Sequence, residues 1–323
     1  MQIENFIGQL NEWGRNKAPF LFLIDFELQN PKAWKRDQID PDEMLYSING
    51  FSNARFGEKS TQAIHIEKHP ISFEEYQKKF DMVHKHLLYG DTFLVNLTIK
   101  TKVEINSSLK NLFYQSDARY KCWWRNELLF FSPEIFVQIR NGKIVSYPMK
   151  GTVDATLPDA ADFILENKKE LAEHVTIVDL IRNDLSQVAT NVTINRFRFL
   201  DEIVAQDKKL LQVSSEITGD LSSGYQQQLG DLIVSLLPAG SVSGAPKVKT
   251  CQIIQEVEGE KRGYYTGVFG YFDGENLDSG VAIRFIEQQG DEIFYRSGGG
   301  ITTQSIVQEE YKEAIQKIYV PVA

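Results

Sequence analysis

The chain is poor in cysteine, with Cys122 and Cys251 the two it has among 323 residues. No CxxC or CxxxxC spacing occurs, so zinc and iron–sulfur sites lack their usual ligands. A chain of this length buries enough apolar surface to stand without a disulfide, and both cysteines are expected as buried free thiols. Positive charge is also short: 35 lysines and arginines face 44 acids, for a net charge of −9. That balance argues against nucleic acid as a partner, and an anionic small substrate would need local cations or a metal. No run of about eighteen apolar residues exists, so no membrane span is expected. The opening MQIENFIGQLNEWGRN lacks the basic start and apolar core of a signal peptide, and the expected location is the cytoplasm. No GxSxG nucleophile elbow, internal repeat or low-complexity tract is present.

What remains is a globular composition, 42% hydrophobic and 24% charged. The length allows one large domain or two ordinary ones. No linker divides it, so a single domain over 1–323 is expected. Phe20–Phe26 (FLFLIDF) reads as a strand buried on both faces, and residues 31–50 as loop with a short strand. Ser72 before FEEYQKKFDMVHKHLL, with Glu75 three residues on, reads as a capped helix ended by Gly90. TFLVNLTIKTKVEI alternates as a strand, and Asn141–Gly142 between alternating runs signals a hairpin. Residues 158–184, 224–237, 245–257 and about 305–319 have helical patterning; 189–221 and 264–300 read as strands. Strands and helices do not alternate regularly, which excludes a doubly wound sheet and leaves an α+β fold of large antiparallel sheets carrying helices.

Two acidic pairs stand out. Glu170 and Glu173 are three apart, as are Glu310 and Glu313, so each pair shares one helical face. Such pairs commonly face solvent. Two of them on facing helices can also enclose a hard cation such as magnesium, which prefers oxygen ligands. The stretch from Ala239 to Lys247 is glycine-rich before a helix, but it fails the GxxxxGK[ST] pattern and reads equally well as a tight turn. Ser297–Gly300 has no Cβ at three successive positions, which suits either a backbone nest for a carboxylate or a strand bend. Lys150 ends an alternating strand; desolvation in a pocket would favour its neutral, nucleophilic form. Glu134 follows Ser132–Pro133 and can serve as a general acid if buried. Arg284 interrupts the apolar run Val281–Ile286 and calls for an anionic partner.

The strings GDTFLVNL (90–97), FFSPE (130–134), YPMKGT (147–152), ENKKELAEHVTIVDLIRNDL (166–185), LLPAGSVSGAPKVKT (236–250), RGYYTGVFGYF (262–272), VAIRF (281–285) and SGGGIT followed by EEYKEA resemble, in order and spacing, those of the chorismate-utilising enzymes. The resemblance runs over about 72–320 and is weaker over 1–70, where the region many relatives use to bind tryptophan is reduced. It implies a sandwich of two large antiparallel sheets flanked by helices, with the active site between them. It further implies Mg2+ held by Glu173 and Glu313, with Glu170 and Glu310 acting directly or through waters. Arg284, Tyr265 and the backbone at Gly298 would hold the enolpyruvyl carboxylate of chorismate, with Gly151, Thr152 and Lys317 lining the same pocket. Lys150, where anthranilate and salicylate synthases typically carry alanine, resembles the aminodeoxychorismate synthase branch. There, lysine is thought to attack C2 as the C4 hydroxyl leaves, and ammonia then adds at C4. Glu134 matches the family's general acid or base. The implied partners are chorismate, ammonia and a glutamine amidotransferase subunit. Two positions depart from the pattern. Leu94 replaces a glutamine or a water-activating lysine, and Gln212 stands where a histidine is usual. Feedback by tryptophan is not expected.

Overall fold

The computed structural model describes residues 1–55, 63–205 and 208–322. Among the described residues the strands form two sheets of nine, and they pair antiparallel throughout. In the first, Phe20–Ile24 lies between Lys32–Lys35 and Val268–Phe272. The ladder continues through Leu277–Val281, Ile135–Arg140, Lys143–Ser146 and Lys208–Asp220 to Met149–Asp154, with Thr190–Ala205 also on Lys208–Asp220. In the second, Glu292–Ile301 joins Leu94–Ile105 to Phe285–Gln289, and the ladder runs on through Leu128–Ser132 and Tyr120–Trp124 to Met44–Ile48.

The alternation of Phe20–Ile24 explains how the sheets stack. All five residues are buried. Phe20, Phe22 and Ile24 join a core with Phe6, Leu10 and Leu229, whereas Leu21 and Leu23 pack with Met44, Tyr46, Tyr120, Phe130 and Phe285 of the second sheet. Each fully buried large side chain contributes about 1.5–3 kcal/mol. The outer face of the second sheet is covered by Phe73–Tyr89, Lys247–Glu258 and Val307–Gln316, through a core that includes Tyr76, Phe80, Val95, Leu97, Ile254 and Ala314. This is the expected α+β sandwich.

Local signals behave as their chemistry requires. Ser72 Oγ accepts from the Glu75 N–H at 3.2 Å, and Gly90 closes that helix at φ +87°. Asn141 and Gly142 both take positive φ, as a two-residue hairpin turn demands. Two expectations change, and one element was not anticipated. The opening segment is a helix, Ile3–Arg15, burying Phe6, Leu10 and Trp13. The pattern over 158–184 is two helices, Ala160–Glu166 and Lys168–Leu185, because Asn167 leaves the helical region and its side chain caps the second from Glu170 N at 3.1 Å. Cys122 is buried as expected, but Cys251 is half-buried. Among the described residues no helix is long and apolar enough to cross a membrane.

Candidate active site

A cavity of about 500 Å3 opens between the ends of the two sheets, lined in part by Lys150, Glu170, Glu173, Arg284, Glu310 and Glu313. Lys150 enters from Met149–Asp154, where the ladder slips between Met149 and Thr152 and Gly151 turns at φ +79°. A Cβ at Gly151 would lie 3.1 Å from Glu170 Oε2 and 3.2 Å from Ile164 Cδ1, so glycine serves both the turn and the close approach. Lys150 Nζ donates to Glu173 Oε2 at 3.1 Å. Burial lowers the lysine's proton affinity, but Glu173, Glu170 and Glu313 together outweigh it and hold the amine above its ordinary range. Desolvation therefore does not free this amine, contrary to the expectation from its position. In the ligand-free protein Lys150 is an ammonium, and Glu173 is the nearest group able to take its proton.

Glu134 faces the same cavity. Its carboxylate accepts a short hydrogen bond from Ser241 Oγ. Burial raises it above the usual carboxylate range; Ser241 and the charges of Lys150, Lys317 and Arg284 offset only part of that. A carboxyl that keeps its proton at higher pH is suited to general acid work.

The opposite wall is cationic. Arg284 sits at φ +54°, with its guanidinium 4.3 Å from the Tyr319 ring centroid and Nη1 buried without a hydrogen-bond partner. Tyr265 is buried beside it, and burial pushes its phenol well above the ordinary value. Thr152 lines the cavity, and Lys317 Nζ donates to Gly298 O at 2.9 Å and pairs with Glu313 at 2.7 Å. The glycine run is explained by its neighbours. A Cβ at Gly298 would meet Leu97 O at 2.2 Å, and one at Gly299 would meet Glu313 Oε1 at 3.4 Å and Glu310 Oε2 at 3.5 Å. At Gly300 it would meet Lys150 Nζ at 3.0 Å and Leu94 Cδ1 at 3.1 Å. The run is a regular strand paired to Leu94–Ile105, not a bulge.

The four carboxylates line one cavity from two helices, with Glu173 and Glu310 buried. Their oxygen-only chemistry fits a hard divalent cation. They are not gathered around one point: among the described residues no three acidic, imidazole or thiol groups cluster at metal-ligating spacing. Lys150 and Lys317 engage Glu173 and Glu313. The glycine-rich stretch near Lys247 is the tight turn: Lys247 pairs with Asp184 at 2.7 Å, and Gly244, at φ +141°, lets the chain pair with Leu94 and Val95.

The sequence reading missed Ser241, Asn96, Arg296 and Ser297, which also line the cavity; Gln212 does too. It also missed His174, next to Glu173. His174 Nε2 lies 2.6 Å from Ser215 Oγ, and burial, with Arg198 and Lys150, lowers its pKa to about 4. Ser215 Oγ accepts the Arg198 N–H at 3.0 Å, and Arg198 Nη1 donates to Leu165 O at 2.7 Å. This relay ties the helix bearing Glu173 to the hairpin behind it.

The model of the chorismate binding enzymes matches residues 16–323. The chain belongs to that family. It is 47% identical over 320 residues to an "uncharacterized PabA-like protein" of Haemophilus influenzae, covering 99% of this chain and 97% of that one. Aminodeoxychorismate synthase component 1 of Bacillus subtilis is 29% identical over 265 residues, 77% of this chain and 55% of its own length. Anthranilate synthase component 1 of Aquifex aeolicus is 31% identical over 275 residues, 78% of this chain and 54% of its own. The chain therefore spans little more than half of either synthase. The menaquinone-specific isochorismate synthase of Escherichia coli superposes with a TM-score of 0.74 at 16% identity, over 98% of this chain and 80% of that one, which shows the shared fold. As a family member the chain is a chorismate-utilising enzyme, and the cavity that gathers the motif residues is its candidate active site.

Proposed function

We propose that this enzyme replaces the C4 hydroxyl of chorismate with an amino group, giving 4-amino-4-deoxychorismate on the route to p-aminobenzoate and folate. Ammonia would come from a glutamine amidotransferase partner. The observation that carries the reading is Lys150: a primary amine deep in the cavity, 3.1 Å from a carboxylate that can take its proton.

We assign the roles that the family resemblance implies and the cavity can accommodate. Arg284 and Tyr265 receive the enolpyruvyl carboxylate, with the Gly298 backbone beside them. Glu173 Oε2 takes the proton of Lys150. The neutral amine then forms a bond at C2 while both ring double bonds shift, C1=C2 to C1=C6 and C5=C6 to C4=C5, and the C4–O bond breaks. Glu134, whose proton affinity burial raises, gives its proton to the departing hydroxyl, which leaves as water. Ammonia next bonds at C4, both double bonds shift back, and the C2–N bond to Lys150 breaks; the added nitrogen loses a proton to the Glu134 carboxylate. Glu170, Glu173, Glu310 and Glu313 would hold Mg2+, which when bound would offset the ring carboxylate's charge. Leu94 offers no base of its own to activate water, which favours amination over hydration.

A second reading, anthranilate synthesis, draws support from the comparable identity to an anthranilate synthase. Products separate the two. The chain incubated with chorismate, Mg2+ and ammonium should yield p-aminobenzoate only when an aminodeoxychorismate lyase is added, and chelating the metal should suppress it. Anthranilate as the product would overturn the proposal.

A further inference from the structure

Chorismate carries two carboxylates, and one guanidinium does not exhaust the acceptor sites of either. An ionised carboxylate offers about four lone-pair sites, and Arg commonly fills two. The cavity contains a second donor beside Arg284. Ser297 is 4% exposed, lines the cavity, and its Oγ is buried with no hydrogen-bond partner among the described residues. Buried hydroxyls without a partner are uncommon, and one on a cavity wall points to a ligand.

Its placement follows from strand pairing. Phe285 faces Arg296; Arg284 is the residue just before that strand, and Ser297 follows Arg296 on the neighbouring one. Side chains alternate along a strand, so Ser297 shares a face with Gly299. The absent Cβ of Gly299 points toward Glu313, Glu310 and Lys317 Nζ, the last 3.7 Å away. Ser297 thus lines the same cavity as Lys317 and Arg284. The neighbouring Arg296 cannot take its place, because its guanidinium is held by Glu260 at 2.9 Å and Glu287 at 3.2 Å. Arg284 Nη1, like Ser297 Oγ, is buried without a partner.

We infer that Ser297 Oγ and Arg284 together bind the enolpyruvyl carboxylate, one donor to each oxygen, so that Ser297 selects for the side-chain carboxylate over the ring carboxylate. This rests on the reading that the cavity takes chorismate. Two single-carboxylate probes separate the subsites: 2-phenoxyacrylate carries only the enolpyruvyl carboxylate, and benzoate only the ring type. Ser297→Ala should weaken chorismate and 2-phenoxyacrylate about tenfold in calorimetric titration. Benzoate binding and kcat should change less than about twofold, and Ser297→Thr should restore most of the loss. If Ser297 and Arg284 share one carboxylate, adding Ser297→Ala to Arg284→Lys should cost less than the two single losses multiplied together. Unchanged 2-phenoxyacrylate binding, or an equal loss on benzoate, overturns the assignment of Ser297. Ser297-dependent binding of 2-phenoxyacrylate by a wild-type chain that does not aminate chorismate would overturn the proposed function and leave Ser297 standing. Failure of the wild type to bind either chorismate or 2-phenoxyacrylate overturns both.

Discussion

At the scale of single residues, the site works by setting neighbouring groups against their ordinary ionisation. Glu134 is raised by burial while Ser241 hydrogen-bonds to its carboxylate. A carboxyl with a raised folded-state pKa binds its proton more tightly folded than unfolded. It contributes stability below the unfolded value and loses that contribution as pH rises through the folded one. Glu134→Gln keeps an acceptor for Ser241 and never ionises. Its melting temperature relative to wild type should therefore be more favourable at pH 8 than at pH 5, while turnover falls about 10²–10⁴-fold. Thermal melts at the two pH values, alongside steady-state rates, check both halves. A stability difference that shrinks with rising pH would contradict the assignment. Lys150 shows what sequence position alone leaves open: burial and a carboxylate pull its proton affinity in opposite directions, and only the placement of Glu173, Glu170 and Glu313 decides the sign.

At the scale of elements, the legible features were those with a local cause. The capped helix after Ser72 and the Asn141–Gly142 hairpin need only their own residues. The helix Ile3–Arg15 was missed although Phe6, Leu10 and Trp13 repeat at helical spacing, since Gln2 gives no capping hydrogen bond to mark its start. Ser241 and Ser297 were invisible for another reason. A serine's role is set by what the fold brings beside it, here Glu134 from more than a hundred residues away and an arginine just before the neighbouring strand. The glycines of Glu292–Ile301 were legible as unusual, but their reasons are long-range contacts. Gly300 yields a sharp test. A Cβ there would sit 3.0 Å from Lys150 Nζ and 3.1 Å from Leu94 Cδ1, both ends of flexible side chains, on backbone with no positive φ. Gly300→Ala should cost less than about 1 kcal/mol in denaturant unfolding. By moving Lys150 it should lower kcat/KM about 10²-fold, because small displacements of a reacting group are expensive. A large stability loss with normal kinetics would place Gly300 in the frame of the sheet instead of the site.

Across the whole molecule, one buried ion pair ties the cavity wall to the helices behind it. Arg262, 1% exposed, binds both carboxylate oxygens of Glu258 at 2.6 and 2.8 Å. It also donates to Val242 O at 2.8 Å and Asn96 O at 2.6 Å, and Glu258 accepts from Thr98 N at 2.9 Å. Arg262 thus joins the second sheet to the loop that carries Ser241. Removing one member leaves the other charged and dry, so Arg262→Met should destabilise by about 3–5 kcal/mol. Adding Glu258→Gln should recover part of that in the same denaturation assay. Antiparallel sheets carrying helices were readable from patterning, because each sheet needs one face covered; their stacking as a sandwich was what the family resemblance implied. The convergence of the four glutamates on one cavity was not, since an acidic pair on a helix face looks the same whether it meets solvent or a site.

If Lys150 directs amination to C4, the product mixture of Lys150→Ala must differ from that of wild type. Both proteins would receive chorismate, Mg2+ and ammonium, with products resolved by chromatography and mass and chorismate affinity measured in parallel. Lys150→Ala should bind chorismate within about threefold of wild type, since Lys150 reacts and does not anchor, and should form no 4-amino-4-deoxychorismate. A variant that still makes that product at the wild-type rate would contradict that role of Lys150.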